Sequence, residues 1–209
     1  MKRLVLVFCV LAAMVGCRQT HLTPRQSGDA WEEATKGKRV SYTFEDFIAL
    51  PGYLNSRDYW RGAALEIRDP AHSRVEILLK EQRGRLYIRE QIAMDFPICS
   101  GRVGGMETPR GTFRITEKKR EKRSTSYGTY VNAAGEFVSG GAVSWRKGPA
   151  GTHFQGASMP YWMRFNGAIG MHVGKVLRET DSHGCVRIPE EACSILFDKL
   201  AVGSKVTVR

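Results

Sequence analysis

The sequence predicts a mostly β domain carrying two short helices. Val75, Ile77 and Leu79 alternate with Glu76, Leu78 and Lys80, the period of two that a strand imposes on its faces. Ala168-Ile169-Gly170-Met171-His172 and Lys205-Val206-Thr207-Val208 read as further strands. Helix signals occur in only two places, Thr43-Phe44-Glu45-Asp46 and Pro189-Glu190-Glu191. Hydrophobic residues make up 42% of the chain and aromatics 10%, which suits a packed core rather than a disordered chain. With 209 residues there is room for one ordinary domain and a leader.

Lys2 and Arg3 precede an apolar run over 4–15, followed by Gly16-Cys17. A basic start, a short apolar core and a small residue before the cut make a secretory signal, and the run is too short to span a bilayer comfortably. Met14-Val15-Gly16-Cys17 resembles a bacterial lipobox, with methionine where leucine is usual. We therefore expect a signal peptide over 1–16 and lipidation of Cys17. That implies a membrane-anchored lipoprotein with an extracytoplasmic address on the periplasmic side of the envelope. Residues 17–40 are polar and turn-rich and read as a tether. Residues 41–72 contain the first helix, whose Thr43 and Asp46 have capping-box spacing, and read as a brace on the main domain.

The main domain spans 73–209. After the alternating strand, Gln82-Arg83-Gly84 is expected to form a turn and Leu86-Tyr87-Ile88 a hairpin partner. Pro109 and Gly111 set a turn before Phe113, which points toward the core. Residues 110–123 hold seven Lys or Arg and two Glu, read as a solvated face. Gly140-Gly141, Gly148-Pro149 and Gly151 suggest a long irregular connection. Proline and two acids at 189–191 open the second helix, which runs to about Leu200.

The formal net charge is +11, or +9 once Lys2 and Arg3 are removed with the leader. A basic surface suits an anionic partner. No zinc-finger spacing, P-loop or RNP-type motif points to nucleic acid. Of five cysteines, Cys9 lies in the leader and Cys17 is the anchor. Cys99 and Cys193 are able to pair in an oxidising compartment, but small buried apolar residues are the expected reading.

The chemistry concentrates in 170–189, G-M-H-V-G-K-V-L-R-E-T-D-S-H-G-C-V-R-I-P. A thiol becomes a strong nucleophile on losing its proton, and a nearby imidazole takes that proton at neutral pH. Gly184 beside Cys185 lets a reacting carbonyl approach main-chain N–H groups. Ser182-His183-Gly184-Cys185-Val186-Arg187 is therefore a candidate nucleophile loop. His172 and His183 are the candidate bases. A histidine on a packed strand, such as His172, is better held for that task than a loop neighbour. His172, His183 and Cys185 are also possible zinc ligands, but spacing suggests no fourth, and neither a metal nor another cofactor is expected.

S-H-G-C-V-R with an upstream histidine resembles the catalytic signature of L,D-transpeptidases of the YkuD type. Thr108-Pro109-Arg110-Gly111-Thr112-Phe113, the Pro97-Ile98-Cys99-Ser100-Gly101 step and Met159-Pro160-Tyr161-Trp162-Met163-Arg164-Phe165 are similar to other segments of that family. The resemblance implies a mixed-sheet β-sandwich and a cysteine enzyme that remodels peptidoglycan stem peptides. Cys185 would form a thioester with the stem and pass it to an amine. Water as acceptor would make an L,D-carboxypeptidase instead, and a non-catalytic wall-binding lipoprotein is the further alternative. It implies His172 as base and then acid, and an oxyanion site shaped by His183, Gly184 and Cys185 in the loop that starts at Ser182. Arg187 would hold a substrate carboxylate or brace the loop. Tyr161 and Trp162 would line a peptide cleft or fill the core. Acylation of Cys185 by carbapenem-type β-lactams is implied as well.

Overall fold

The structure, a computed structural model, describes residues 43–50, 52–55 and 58–209. The leader, the tether and Cys17 lie outside the described residues. The first helix, α1 (Phe44–Ile48), has a complete capping box. The Asp46 N–H donates to Thr43 Oγ1 at 3.1 Å, and the Thr43 N–H donates to the Asp46 carboxylate at 3.0 Å. Two donors that the first turn would leave unpaired are thereby satisfied. A 3-10 turn (Tyr53–Asn55) then leads to β1 (Tyr59–Trp60) and the one-turn helix α2 (Gly62–Leu65).

Next come β2 (Ser73–Leu78), β3 (Arg83–Ile88), β4 (Gln91–Pro97), β5 (Gly111–Arg114) and β6 (Glu117–Lys119). They are followed by β7 (Arg123–Val131), β8 (Phe137–Val143), β9 (His153–Ser158), β10 (Trp162–Asn166) and β11 (Ile169–Val173). The chain ends with β12 (Val186–Ile188), α3 (Glu190–Lys199) and β13 (Lys205–Val208). One sheet has the order β1-β4-β3-β2-β13-β5 and a second β12-β11-β10-β6. Both are mixed: β2 with β13 and β11 with β12 run parallel, and the other neighbours run antiparallel. The expected mixed-sheet, mainly β architecture is what the structure has.

The two sheets share a core. Val75, Ile77, Leu86, Phe96 and Val206 from the first meet Met163, Met171, Val186 and Ile188 from the second, with Ala192, Cys193 and Leu196 of α3 between them. Each Val, Leu, Ile, Met or Phe buried this way contributes about 1.5–3 kcal/mol. Lys118 closes the end of α3, its ammonium donating to Phe197 O at 2.5 Å and also to Leu200 O. A cation there suits the negative end of the helix.

The other face of the first sheet is covered as well. Phe44, Phe47 and Tyr59 form an aromatic cluster with centroids 5.4–6.2 Å apart. Beneath it Arg83 donates to Asp95 Oδ1 at 2.6 Å and Arg85 to Asp95 Oδ2 at 2.7 Å. The Arg83 and Asp95 side chains are both 0% exposed.

Two expectations need correction. The turn falls at 79–82, and Arg83 and Gly84 belong to β3. Gly84 is required there for space: a Cβ would stand 2.4 Å from the Phe96 ring. Gly148, Pro149 and Gly151 lie in an irregular connection over 144–152, as expected, but Gly140 and Gly141 belong to β8 of a third sheet, β8-β7-β9. Its Gly128 and Gly156 lie where a Cβ would come within 2.0 Å and 1.9 Å of a neighbouring carbonyl oxygen. Glycine there permits close strand approach, a role that looks like loop signal in a linear sequence. Cys99 and Cys193 are buried free thiols. No helix among the described residues is long and apolar enough to cross a membrane.

Candidate active site

The nucleophile loop joins β11 to its parallel neighbour β12. The register pairs Met171 with Val186, His172 with Arg187 and Val173 with Ile188. Met171, Val186 and Ile188 are fully buried in the core. Because side chains alternate along a strand, His172 and Arg187 face away from it. Cys185 precedes β12 and lies beside the start of β11. Its thiol points to Ala168 O at 3.9 Å and receives a hydrogen bond from the Gly170 N–H. Gly170 is two residues before His172, so the thiol is held at a position of β11 that shares a face with His172. Burial pushes the Cys185 thiol above the ordinary range, against the opposing effects of the Gly170 N–H and the Arg187 charge.

His172 is 8% exposed. Its Nδ1 lies 2.7 Å from Val173 O. A carbonyl oxygen only accepts, so Nδ1 carries the proton and Nε2 keeps its lone pair. Burial holds this imidazole down at about 4, with Arg187 adding to the effect and the Val173 carbonyl opposing it. It is therefore neutral at physiological pH. The Trp162 ring backs it, with centroids 6.1 Å apart.

His183 is in a different situation. It stacks on Tyr127 of β7 with centroids 4.1 Å apart, and its Nε2 lies 3.3 Å from an Arg102 guanidinium nitrogen. An arginine only donates, so His183 Nε2 is the acceptor of that contact. Partial burial lowers its pKa, and the charges of Arg102 and Arg187 add to the effect.

The loop is fixed from below by residues that sequence reasoning did not single out. Thr108 Oγ1 accepts from the Gly101 N–H at 2.9 Å and donates to Gly184 O at 2.8 Å. The Ser182 and Asp181 N–H groups both donate to Ser100 O at 3.0 Å. Ser100 is held in turn by Gln82, whose amide donates to Ser100 Oγ at 2.8 Å and accepts from the Ser100 N–H at 3.0 Å. The one available signal is motif membership. Thr108 opens the T-P-R-G-T-F stretch and Ser100 ends the P-I-C-S step, but in one dimension both read as strand punctuation.

The remaining candidates divide. Ser182 is buried, and its hydroxyl accepts from the Gly184 N–H at 3.1 Å and donates to Cys185 O. The Gly184 N–H is therefore engaged within the loop. Gly184 itself sits at φ +109°, a conformation that favours glycine. Arg187 donates to Asp181 at 2.8 Å, and its backbone exchanges hydrogen bonds with Cys99 at 3.0 Å and 2.9 Å, bracing the loop. Tyr161 does not reach the site: its ring packs edge-on against Phe197 of α3, with centroids 5.5 Å apart. Trp162 is a buried wall behind His172, its indole N–H donating to Glu117 at 2.9 Å. Among the described residues no group of three His, Cys, Asp or Glu side chains gathers to hold a metal.

Fold and site together define a mixed β-sandwich that carries a thiol and a neutral imidazole at the β11–β12 pair. The chain belongs to the L,D-transpeptidase catalytic domain (YkuD) family, whose sequence profile matches residues 72–208. No curated protein matches it in overall sequence. Similar solved structures include an L,D-transpeptidase from Stackebrandtia nassauensis, with 18% identity, 68% of this chain and 58% of that chain covered, and TM-score 0.48. One from Mycobacterium smegmatis has 13% identity, 66% and 58% covered, and TM-score 0.49. An Enterococcus faecium enzyme has 19% identity, 66% and 50% covered, and TM-score 0.48. The chain thus spans between half and three-fifths of these relatives' lengths.

Proposed function

We propose that this protein is a peptidoglycan-remodelling L,D-transpeptidase with Cys185 as nucleophile and His172 as its base. One observation carries the choice of base. The hydrogen bond from His172 Nδ1 to Val173 O leaves the Nε2 lone pair free to take a proton, whereas His183 Nε2 already accepts from Arg102. The directions of the two pKa shifts add that thiol and imidazole rest as a neutral pair at neutral pH. Proton transfer to Nε2 then accompanies attack rather than preceding it.

In the proposed reaction the Cys185 sulfur bonds to the carbonyl carbon between residues three and four of a stem peptide, and His172 takes the thiol proton. The tetrahedral adduct collapses and breaks the C–N bond. The leaving D-amino acid's amine takes the proton from His172, and a thioester remains. An acceptor amine then attacks the thioester, gives a proton to His172 and forms the new amide, and the proton returns to the thiolate. Lipidation of Cys17 and an extracytoplasmic address belong to the same proposal, resting on the basic start, the apolar run and Gly16-Cys17.

Intact mass spectrometry with a carbapenem and with a stem tetrapeptide tests the chemistry. We expect an adduct on Cys185 that Cys185→Ser abolishes. An adduct that survives the substitution assigns the nucleophile elsewhere. Fatty-acid labelling that marks Cys17→Ala as strongly as the wild type, or marks neither, rules out the anchor.

A further inference from the structure

Two arginines stand at the nucleophile loop, and they are not equivalent. Arg187 is spent internally: its guanidinium donates to Asp181 at 2.8 Å, and its stem lies against Gly174, where a Cβ would meet Arg187 Cγ at 2.9 Å. Arg102 is the other. Its backbone N–H donates to Ser182 O at 3.0 Å, which ties it to the loop that carries Cys185. Its side chain is exposed and reaches the imidazole of His183, two residues before the nucleophile. Among the described residues Arg102 makes no ion pair. The nearby acid, Asp181, is already engaged by Arg187.

The fork geometry of a guanidinium leaves further N–H donors after the contact with His183. Tyr127 stacks on the opposite partner of that contact, and Trp145 packs edge-on against Tyr127 with centroids 5.8 Å apart. His183 thus lies between a ring of the third sheet and the Arg102 guanidinium. An exposed guanidinium at the nucleophile loop, whose neighbouring acid Asp181 is paired with Arg187, suits a carboxylate.

We infer that Arg102 recognises the terminal carboxylate of the amino acid that leaves. The inference rests on the function proposed above and adds to it the group that selects the donor. That carboxylate belongs to the residue directly after the attacked carbonyl, so a donor seated on Cys185 brings it close to the loop. Arg187, for which the resemblance left carboxylate binding and bracing both open, braces the loop.

The test compares two synthetic donors, a stem tetrapeptide with a free C-terminal carboxylate and the same peptide as its carboxamide. Acylation of Cys185 is followed by intact mass spectrometry. The wild type should favour the acid by about tenfold in kcat/KM, as expected for one charge-assisted hydrogen bond at a partly exposed site. Arg102→Gln should erase that preference through a higher KM for the acid, with kcat largely kept, and Arg102→Lys should retain part of it. Equal use of both donors by the wild type, or a wild-type preference kept in Arg102→Gln, overturns the assignment while leaving the transpeptidase reading in place. If neither donor acylates wild-type Cys185, the proposed function fails and this inference fails with it.

Discussion

The outer face of the six-stranded sheet and the edge of β11 both remove ionisable groups from water, with opposite results. Under Phe44, Phe47 and Tyr59, Asp95 is shared between Arg83 and Arg85 at 2.6 and 2.7 Å. Charge is buried there together with its counter-charge. At β11 the buried groups are His172 and Cys185, and the charge both sense is Arg187, which works against protonating the imidazole. Burial without a counter-charge drives a group to its neutral form; burial with one locks an ion pair in place. The first arrangement lies under the aromatic rings of α1 and β1. The second keeps a thiol and an imidazole neutral.

Four predictions probe this contrast, beginning with the largest effect. His172→Gln should lower the rate of Cys185 acylation by about 10²–10⁴, the usual contribution of a positioned acid–base group. His183→Gln should cost less, since that ring acts as a partner to Arg102 and Tyr127. Acylation time courses decide it: a larger loss in His183→Gln would reverse the roles.

Asp95→Ala removes the shared carboxylate from two arginines, one of them fully buried. It should destabilise the protein by about 3–5 kcal/mol, read as a lower urea midpoint. Alkylation of Cys185 in the folded fraction should be unchanged, and a large change there would mean that the two regions are coupled.

Stability against pH has opposite signs for two groups that burial drives toward the neutral form, a base and an acid. His172 is held at about 4, below the ordinary 6.5 that it regains on unfolding. The unfolded chain therefore binds its proton first, and stability is lost as pH falls from 6.5 to about 4, by at most roughly 3 kcal/mol. Asp58, beside Arg83 and hydrogen-bonded by Trp60, is pushed the other way, up to about 6, by burial. Its contribution is present below the ordinary 3.8 and is lost as pH rises through about 6. Denaturation across this window should show His172→Phe removing the acid-side loss and Asp58→Asn removing the opposite trend. The same pH dependence in both variants would refute the contrast.

Thr108→Val should have the smallest effect. It leaves the Gly101 N–H and Gly184 O without the hydroxyl that bridges them, which costs about 1–3 kcal/mol for buried groups. Acylation should slow while the alkylation profile of Cys185 keeps its shape, because Thr108 positions the loop and does not touch the thiol. A displaced profile would give Thr108 a direct electrostatic role.

What could be read from the sequence was local. The Thr43 capping box, the alternation in β2, the helix opened by Pro189 and the S-H-G-C loop each depend on neighbours a few residues apart, so chain order alone carries them. Even there, Gly84 misleads, because a glycine needed for close packing and one needed for a turn look the same in one dimension. The sequence also could not say which arginine is free. Arg102 and Arg187 differ only because the fold gives Asp181 to one and His183 to the other. Nor could it say that Tyr127 of the third sheet would stack on His183, or that Trp162 would close the back of His172 while Tyr161 turned to α3. Chain order determined which groups are present and which short segments are strand, helix or turn. The tertiary structure decided which groups carry charge and where each lone pair points, because burial and hydrogen-bond partners come from segments far apart in the chain.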